Sequence, residues 1–213
     1  MDNNKIFDIF GLDWSGTVSD DRRTVYEANM RILEDYNKPR LTFDNWLAET
    51  MSDVVEFAKK FGIRESPEKL KGLYLEYLTW AESNGHKPFA YDDAADVLRY
   101  LHNNGKKIVI LSTHPEEKLA RESERYGLSR FITETIGGSK NKAEDLRMIM
   151  ASFSKSPNEV LYVGDTIFDI QAAKKAGVNS AGIINGYHSR KRLEEEEPDY
   201  ILESLSDLKR LII

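Results

Sequence analysis

Residues 159–177 read EVLYVGDTIFDIQAAKKAG and carry the clearest fold signal in the chain. A short apolar run ends at Gly164 and Asp165, and a segment with helical spacing follows and stops at Gly177. Strands that alternate with helices in this way are typical of βαβ units, whose strands pair in parallel. The segment predicts a strand at residues 159–163, a helix at residues 167–176 and a polar turn between them.

The same alternation extends in both directions from this segment. It predicts helices at residues 91–103, 115–126 and 142–153, strands at 5–12, 107–112, 131–136 and 180–184, and a strand followed by a helix within 199–213. Parallel strands linked by helices form open, doubly wound sheets. We therefore predict an α/β fold with a Rossmann-like parallel sheet of about five strands.

The segment between residues 22 and 84 has a different pattern. Its apolar residues recur at helical spacing, and no strand signal interrupts them. Ser66, Pro67 and Glu68 mark the start of one of about four helices. We therefore predict a core domain formed by residues 1–19 and 88–213, and an inserted, all-helical cap domain at residues 20–87.

The composition limits the classes of function. The chain has 213 residues, no cysteine and a formal net charge of −6. The lack of cysteine excludes disulfides, thiolate metal sites and a cysteine nucleophile, and the acidic balance argues against a nucleic-acid partner. The basic cluster at residues 189–192 precedes four glutamates and is interpreted as a solvated helical face. Neither a signal peptide nor an apolar run of membrane length is apparent, so we expect a cytoplasmic protein without a membrane partner.

Polar residues follow several of the predicted strands. In open α/β sheets, ligands bind beyond the carboxyl ends of the strands. Carboxylates gathered there repel one another unless a cation shares them, and oxygen ligands favour a hard ion such as Mg²⁺. A single aspartate in a turn is more often a cap or a turn former, so the joint placement carries the prediction. The strand-end residues are Asp13, Ser15, Gly16, Thr17, Ser112, Thr113, His114, Asp165 and Asp169.

Four segments, in order along the chain, resemble the motifs of the haloacid dehalogenase superfamily. Residues 13–18 (DWSGTV) resemble its first motif, DxDGT[LV], and residues 163–169 (VGDTIFD) resemble its fourth, GDxxxD. Ser112 and Lys142 stand where the second and third motifs are expected, and residues 198–208 resemble the phosphoglycolate-phosphatase-like branch. The resemblance implies a Mg²⁺-dependent phosphatase that acts on a small phosphorylated metabolite. No pattern in the sequence indicates the oligomeric state.

The resemblance also implies a role for each matching residue. Asp13 is the expected nucleophile and a Mg²⁺ ligand, together with the Ser15 carbonyl, Asp165 and, directly or through water, Asp169. Ser112 and Lys142 are expected to hold the phosphoryl group. Lys140 is the competitor for the lysine role, but Lys142 is favoured because it starts a predicted helix. The remaining residues are Thr17, assigned to the catalytic set, and Trp14, Gly16, Thr113 and His114, assigned to substrate binding; His114 is alternatively a helix-start residue before Pro115.

Position 15 departs from the family pattern. Superfamily phosphatases place a second aspartate there, which protonates the leaving group and activates water, whereas a serine hydroxyl is too weak an acid for this. Four interpretations remain open: a phosphatase that is slow or serves acyl phosphates, a phosphonoacetaldehyde hydrolase-like enzyme, a haloacid dehalogenase, and a catalytically weak protein that binds a phosphorylated ligand. The second needs a cap lysine, but residues 47–57 contain none, and Lys59 and Lys60 lie later. The presence of Asp165 and Asp169 speaks against the third.

Overall fold

The computed structural model describes residues 7–49, 51 and 53–212. The first residues of the strand predicted at 5–12, and most of the N-terminal segment that lacks a signal-peptide pattern, lie outside the described residues. The chain divides into two compact units, one formed by Met1–Asp20 with Ala90–Ile213 and the other by Asp21–Phe89. That these units are a catalytic core and a cap stays a prediction.

The larger unit contains a six-stranded parallel sheet. The predicted doubly wound α/β fold is therefore confirmed, with six strands rather than about five. Two further strands, of two residues each, pair with one another. The strands are β1 (Ile9–Leu12), β2 (Ser19–Asp20), β3 (Phe89–Ala90), β4 (Lys107–Leu111), β5 (Glu134–Ile136), β6 (Val160–Gly164), β7 (Asn179–Ile183) and β8 (Tyr200–Leu202).

The described residues form four helices in the smaller unit and five in the larger one. None of the described helices has the length and apolar character that crossing a membrane requires. The helices are α1 (Arg22–Asp35), α2 (Phe43–Glu49), α3 (Val54–Lys60), α4 (Pro67–Ser83), α5 (Ala94–Asn103), α6 (Glu116–Arg125), α7 (Lys142–Ser152), α8 (Ile167–Ala176) and α9 (Arg190–Glu194).

Two predicted elements differ from the structure. The C-terminal helix is a 3₁₀-helix at Leu205–Leu211. Its buried residues, Leu205 and Leu208, are three positions apart, which suits the three residues per turn of a 3₁₀-helix. Residues 131–136 contain a strand only at Glu134–Ile136, because a 3₁₀-turn at Ser129–Phe131 precedes it and places Phe131 in the core.

The strand order, β5-β4-β1-β6-β7-β8, reverses beside β1. After β1, the chain builds β4 and β5 on one side and then crosses to build β6, β7 and β8 on the other. β1 therefore pairs with both β4 and β6. A crevice opens at the carboxyl ends of such a pair, where the connections depart to opposite sides. The fold thus brings the ends of β1, β4 and β6 together.

Hydrophobic clusters cover both faces of this sheet. Along β1, Phe10 and Leu12 belong to the cluster that includes α5, whereas Ile9 belongs to the cluster that includes α7 and α8. Successive strand residues point to opposite faces, so a sheet covered on both sides needs continuous apolar strands. This requirement explains the uninterrupted apolar runs from which the strands were predicted.

The smaller unit has its own packing. Its longest helices, α1 and α4, pack against each other, and α3 packs against α4. Trp46 of α2 is fully buried, and its ring lies edge-on to Tyr26 of α1 at a centroid distance of 5.6 Å. The described residues between 22 and 84 contain helices and turns without a strand, as the sequence predicted.

Candidate active site

The turn after β1 places Asp13 at the tip of that strand. The Asp13 amide continues the sheet ladder by donating to the Val163 carbonyl at 2.9 Å, and the residue is buried. The amides of residues 17–19 then all donate to the Trp14 carbonyl, which reverses the chain direction within a few residues. Ser15, between these points, is half-buried.

Asp169 comes from the first turn of α8. The Thr166 amide and hydroxyl donate to Asp169 Oδ2 at 3.1 and 2.6 Å and form a capping box at the start of this helix. The side chain also lies close to the end of β6, because a Cβ atom on Gly164 would lie 2.3 Å from the Asp169 Cγ atom. The cap therefore fixes where the carboxylate stands.

Asp165 is fully buried at the end of β6. It accepts hydrogen bonds from the Thr17 hydroxyl at 3.3 Å and from the Tyr187 amide at 2.6 Å. Two glycines leave room for it, since a Cβ atom on either Gly16 or Gly186 would lie 2.2 Å from an atom of the Asp165 side chain. Gly16 also has a φ of +76°, which glycine adopts without strain. Gly16, predicted to bind substrate, thus serves here to let Asp165 approach the turn.

Lys142, the first residue of α7, joins two of these carboxylates. Its Nζ lies 2.7 Å from Asp13 Oδ1 and 2.6 Å from Asp169 Oδ1. The Asn141 side chain caps the helix by accepting a hydrogen bond from the Glu144 amide. Lys140, the alternative candidate for the lysine role, is exposed. The structure therefore brings Lys142, and not Lys140, to Asp13.

Tyr162 is a site residue that the sequence analysis missed. It is buried within β6, and its hydroxyl donates to the Leu111 carbonyl at 3.0 Å and to Asp169 Oδ1 at 3.3 Å. Its ring centroid lies 5.7 Å from Lys142 Nζ. A tyrosine in an otherwise aliphatic strand was the available signal, because a buried phenol needs a hydrogen-bond partner.

The three carboxylates have the spacing to hold a divalent cation. One oxygen each from Asp13, Asp165 and Asp169 can be chosen so that all lie within 4.8 Å of one another, and all three residues are buried. A set of oxygen ligands at this spacing fits a hard cation such as Mg²⁺. Charge supports the same fit, since Lys142 supplies one positive charge beside three acidic groups.

Burial and neighbouring charges shift the pKa values of Asp13, Asp165 and Lys142. Burial raises the pKa of Asp13 to about 6, against the opposing effect of Lys142 and with a further contribution from Asp169. Burial and the charges of Asp13 and Asp169 raise the pKa of Asp165 well above its ordinary value. Burial lowers the pKa of Lys142, but the two carboxylates outweigh this effect and hold it well above the usual range. Lys142 therefore stays charged, whereas Asp13 and Asp165 are protonated more easily than ordinary carboxylates.

The residues after β4 stand at the end of the strand next to β1. Ser112 is buried, its amide donates to the Ile136 carbonyl at 3.0 Å, and its hydroxyl accepts from the His114 amide at 3.3 Å. Thr113 is exposed and His114 is half-buried. Since α6 begins at Glu116, His114 precedes the helix. These positions are compatible with the predicted substrate contacts, which stay predictions.

The Trp14 side chain is buried. Its indole is 1% exposed and belongs to the hydrophobic cluster of Phe10 and Leu12. The assignment of Trp14 to substrate binding stays a prediction. The indole nitrogen donates to Glu122 Oε2 at 2.6 Å, and the ring stacks on Tyr126. The Trp14 side chain is buried because successive residues of a strand point to opposite faces of the sheet, which places positions 10, 12 and 14 on the same face.

The loop after β7 supplies a second missed residue, Tyr187. Its hydroxyl accepts a hydrogen bond from the Ser15 hydroxyl at 3.5 Å, and its amide binds Asp165 as described above. The predicted strand at residues 180–184 ended just before this loop. The signal that could have found the loop is a glycine and an aromatic residue, Gly186 and Tyr187, directly beyond a parallel strand.

Comparisons with known proteins agree with this architecture. Residues 8–183 match the family model described as haloacid dehalogenase-like hydrolase. Phosphoglycolate phosphatase from Salmonella paratyphi A is 32% identical over 144 residues, which are 65% of this chain and 56% of that protein. Phosphoglycolate phosphatase 1 from Pseudomonas aeruginosa is 26% identical over 211 residues, 92% of this chain and 76% of that protein. The chain thus spans little more than half the length of the Salmonella relative.

A solved structure extends the comparison to the whole fold. The haloacid dehalogenase-like family hydrolase from Streptococcus pneumoniae superposes with a TM-score of 0.84 at 16% identity, covering 95% of this chain and 96% of that one. At this identity the similarity shows the shared fold.

The ion pairs of Lys142 predict a stability effect. Lys142→Gln leaves the Asp13 and Asp169 carboxylates buried without their lysine, which typically costs about 3 kcal/mol. We expect a decrease of this size in the free energy of unfolding, measured by urea denaturation in EDTA. Lys140→Gln is the matched control, because it removes the same charge from an exposed side chain and should cost less than about 0.5 kcal/mol. Equal effects of the two substitutions would contradict the ion-pair assignment.

The raised carboxyl pKa values predict a pH-dependent response to Mg²⁺. An acid whose pKa is raised by folding binds more protons in the native state, so stability falls as the pH rises from about 4 through about 6, the folded-state value of Asp13. In EDTA, the Tm should decline across this range. Saturating Mg²⁺ should raise the Tm more at about pH 7.5 than at about pH 5, where protons displace the cation.

Differential scanning fluorimetry with MgCl₂ or EDTA measures this response. Asp165→Asn is the control, because it removes one ligand and should abolish most of the Mg²⁺ effect. An increase in Tm that is the same at both pH values, or that survives in Asp165→Asn, would contradict a shared cation at these carboxylates.

Proposed function

This chain belongs to the haloacid dehalogenase-like hydrolases, and we propose that it is a Mg²⁺-dependent phosphatase that acts on a small phosphorylated metabolite through an aspartyl-phosphate intermediate. The observation that carries the proposal is Asp13, a buried carboxylate at a strand tip, in contact with Lys142 and close to two more carboxylates. A cytoplasmic location remains part of the proposal.

Asp13 is the proposed nucleophile. One of its carboxylate oxygens attacks phosphorus as the bond from phosphorus to the leaving oxygen breaks. The contact with Lys142 favours the ionised form of Asp13 and offsets repulsion between this carboxylate and the incoming dianion. Lys142 is also held by Asp169, so its position does not depend on substrate.

The surrounding residues orient this chemistry. The Thr17 hydroxyl and the Tyr187 amide both bind Asp165 and fix its carboxylate. The Ser112 hydroxyl is proposed to donate to a phosphoryl oxygen. Asp13, Asp165, Asp169 and the Ser15 carbonyl would hold Mg²⁺, which supplies positive charge to the phosphoryl oxygens.

The same residues bear on the alternative reactions. Asp165 and Asp169, each fixed by hydrogen bonds, support a cation-dependent phosphatase over dehalogenation, which does not need a metal. A phosphonoacetaldehyde hydrolase-like reaction needs a lysine for a Schiff base. Lys60 forms an ion pair with Glu49 and Lys59 is exposed, so neither observation favours that reaction.

The relatives suggest the first substrate to test. Both curated relatives are named phosphoglycolate phosphatases. We therefore propose small phosphorylated carboxylic acids as the first class, followed by simple phosphate monoesters and acyl phosphates.

The serine at position 15 predicts a gain of activity on substitution. Ser15→Asp supplies the carboxylic acid that family phosphatases use, so it should hydrolyse alkyl phosphates at least about tenfold faster than wild type. The gain should be largest for the most basic alcohol leaving groups, and the aspartyl phosphate should decay faster. Steady-state rates over a series of leaving groups, and trapping of the phosphorylated enzyme, measure these effects.

Two variants serve as controls for this prediction. Ser15→Ala removes the hydroxyl without adding an acid and should show no gain, and Asp13→Asn should abolish turnover. If neither wild type nor Ser15→Asp hydrolyses any phosphate, yet both bind a phosphorylated metabolite tightly, the chain is a phospho-ligand-binding protein. If wild type is already fast and Ser15→Asp changes nothing, another group supplies the proton efficiently.

A further inference from the structure

We infer that the Tyr187 hydroxyl donates and accepts the proton for which family phosphatases use the aspartate missing at position 15. The inference rests on the proposed phosphatase function and names a further catalytic residue for it. Tyrosine is one of the side chains able to act as a general acid or base, and a phenol is a much stronger acid than an aliphatic alcohol such as serine.

The position of the hydroxyl is the first argument. The Ser15 hydroxyl donates to the Tyr187 oxygen at 3.5 Å, and both residues are half-buried. The phenol therefore stands beside the side chain that replaces the usual acid. It also lies at the carboxyl edge of the sheet, where the ends of β1 and β6 place Asp13 and Asp165.

Direct packing of the tyrosine on the turn after β1 is the second argument. A Cβ atom on Gly16 would lie 2.8 Å from the Tyr187 Cδ2 atom, so the ring rests directly against this glycine. The Tyr187 amide donates to Asp165 Oδ2 at 2.6 Å. The backbone of Tyr187 thus orients one carboxylate of the site, while its side chain reaches the position next to Ser15.

The loop that carries Tyr187 is held at several points. The Tyr91 hydroxyl donates to the Asn185 carbonyl at 2.8 Å, and the His188 amide donates to the Asp165 carbonyl at 3.3 Å. Before it, the Ile184 amide donates to the Leu202 carbonyl at 3.1 Å. A general acid must be positioned to act in the transition state, and these contacts hold the main chain of the loop that carries Tyr187.

The proposed proton transfers balance over one turnover. An Asp13 oxygen bonds to phosphorus, the bond to the leaving oxygen breaks, and that oxygen takes the phenolic proton and departs as the alcohol. The Tyr187 phenolate then takes a proton from water, whose oxygen bonds to phosphorus as the bond from Asp13 to phosphorus breaks. Inorganic phosphate leaves, and both side chains return to their initial forms.

The test compares two substrates that differ in their need for a proton. Glycerol 2-phosphate releases a basic alcohol that must be protonated, whereas p-nitrophenyl phosphate releases a stable phenolate. Tyr187→Phe should lower kcat/KM by about 100-fold for glycerol 2-phosphate and by less than about threefold for p-nitrophenyl phosphate, both with Mg²⁺. The double variant Ser15→Asp/Tyr187→Phe should regain the rate of Ser15→Asp on glycerol 2-phosphate.

Tyr91→Phe is the matched control. It removes a hydroxyl that holds the same loop through the Asn185 carbonyl, two residues before Tyr187. It should leave the ratio of the two substrates' kcat/KM values unchanged. A merely structural role of Tyr187 would instead lower both substrates alike, and Ser15→Asp would not rescue such a loss.

The outcomes separate this inference from the function on which it rests. If wild type hydrolyses both substrates, but Tyr187→Phe lowers both equally or neither, Tyr187 is not the proton donor and the phosphatase proposal stands. If wild type with Mg²⁺ hydrolyses neither of these substrates nor any other phosphate, both proposals fall. A selective loss on glycerol 2-phosphate, with rescue by Ser15→Asp, supports the assignment.

Discussion

Mutual repulsion of three buried carboxylates is the constraint around which the larger unit is built. Asp13, Asp165 and Asp169 approach to within 4.8 Å through one oxygen each. Their negative charges are opposed by Lys142 and by hydrogen-bond donors from the turns that follow β1, β6 and β7. Such an arrangement lowers the stability of the metal-free fold and raises the affinity for a divalent cation, because the cation relieves the same repulsion.

Three glycines make this close approach of the carboxylates possible. Gly16, Gly164 and Gly186 each lie where a Cβ atom would come within 2.3 Å of an aspartate side chain. The aspartates are therefore packed against main chain, whose amides donate to them, and not against apolar side chains that would leave their charge uncompensated. Gly16 and Gly164 lie in the two motif segments that resemble the family. These motifs therefore supply both the reactive carboxylates and the glycines that leave room for them.

Most of the fold could be predicted because a sheet covered on both faces needs apolar strands of five or so residues, which stand out in sequence. Asp13 and Asp165 could be predicted because each follows its own strand directly, and Lys142 because it starts a predicted helix. The direction of the Trp14 side chain is also predictable from the sequence, because position 14 continues the alternation of Phe10 and Leu12. The approach of Tyr187 to Ser15 could not be predicted, because it depends on β7 lying next to β6, and strand order is a tertiary property.

Serine at position 15 is consistent with the limit on charge in this site. A carboxylate there would add a fourth acidic group to a site in which burial and neighbouring carboxylates already raise the pKa values of Asp13 and Asp165. At an effective dielectric of about 20, two unit charges 4 Å apart interact by about 4 kcal/mol, which is comparable to a large part of a domain's stability. A serine and a phenol are both neutral before the reaction, so they add hydroxyl groups to the site without adding to this repulsion. A neutral proton donor therefore lets the carboxylate cluster stay as dense as the structure shows, while a carboxylic acid at the same position would make the cluster depend more strongly on its cation.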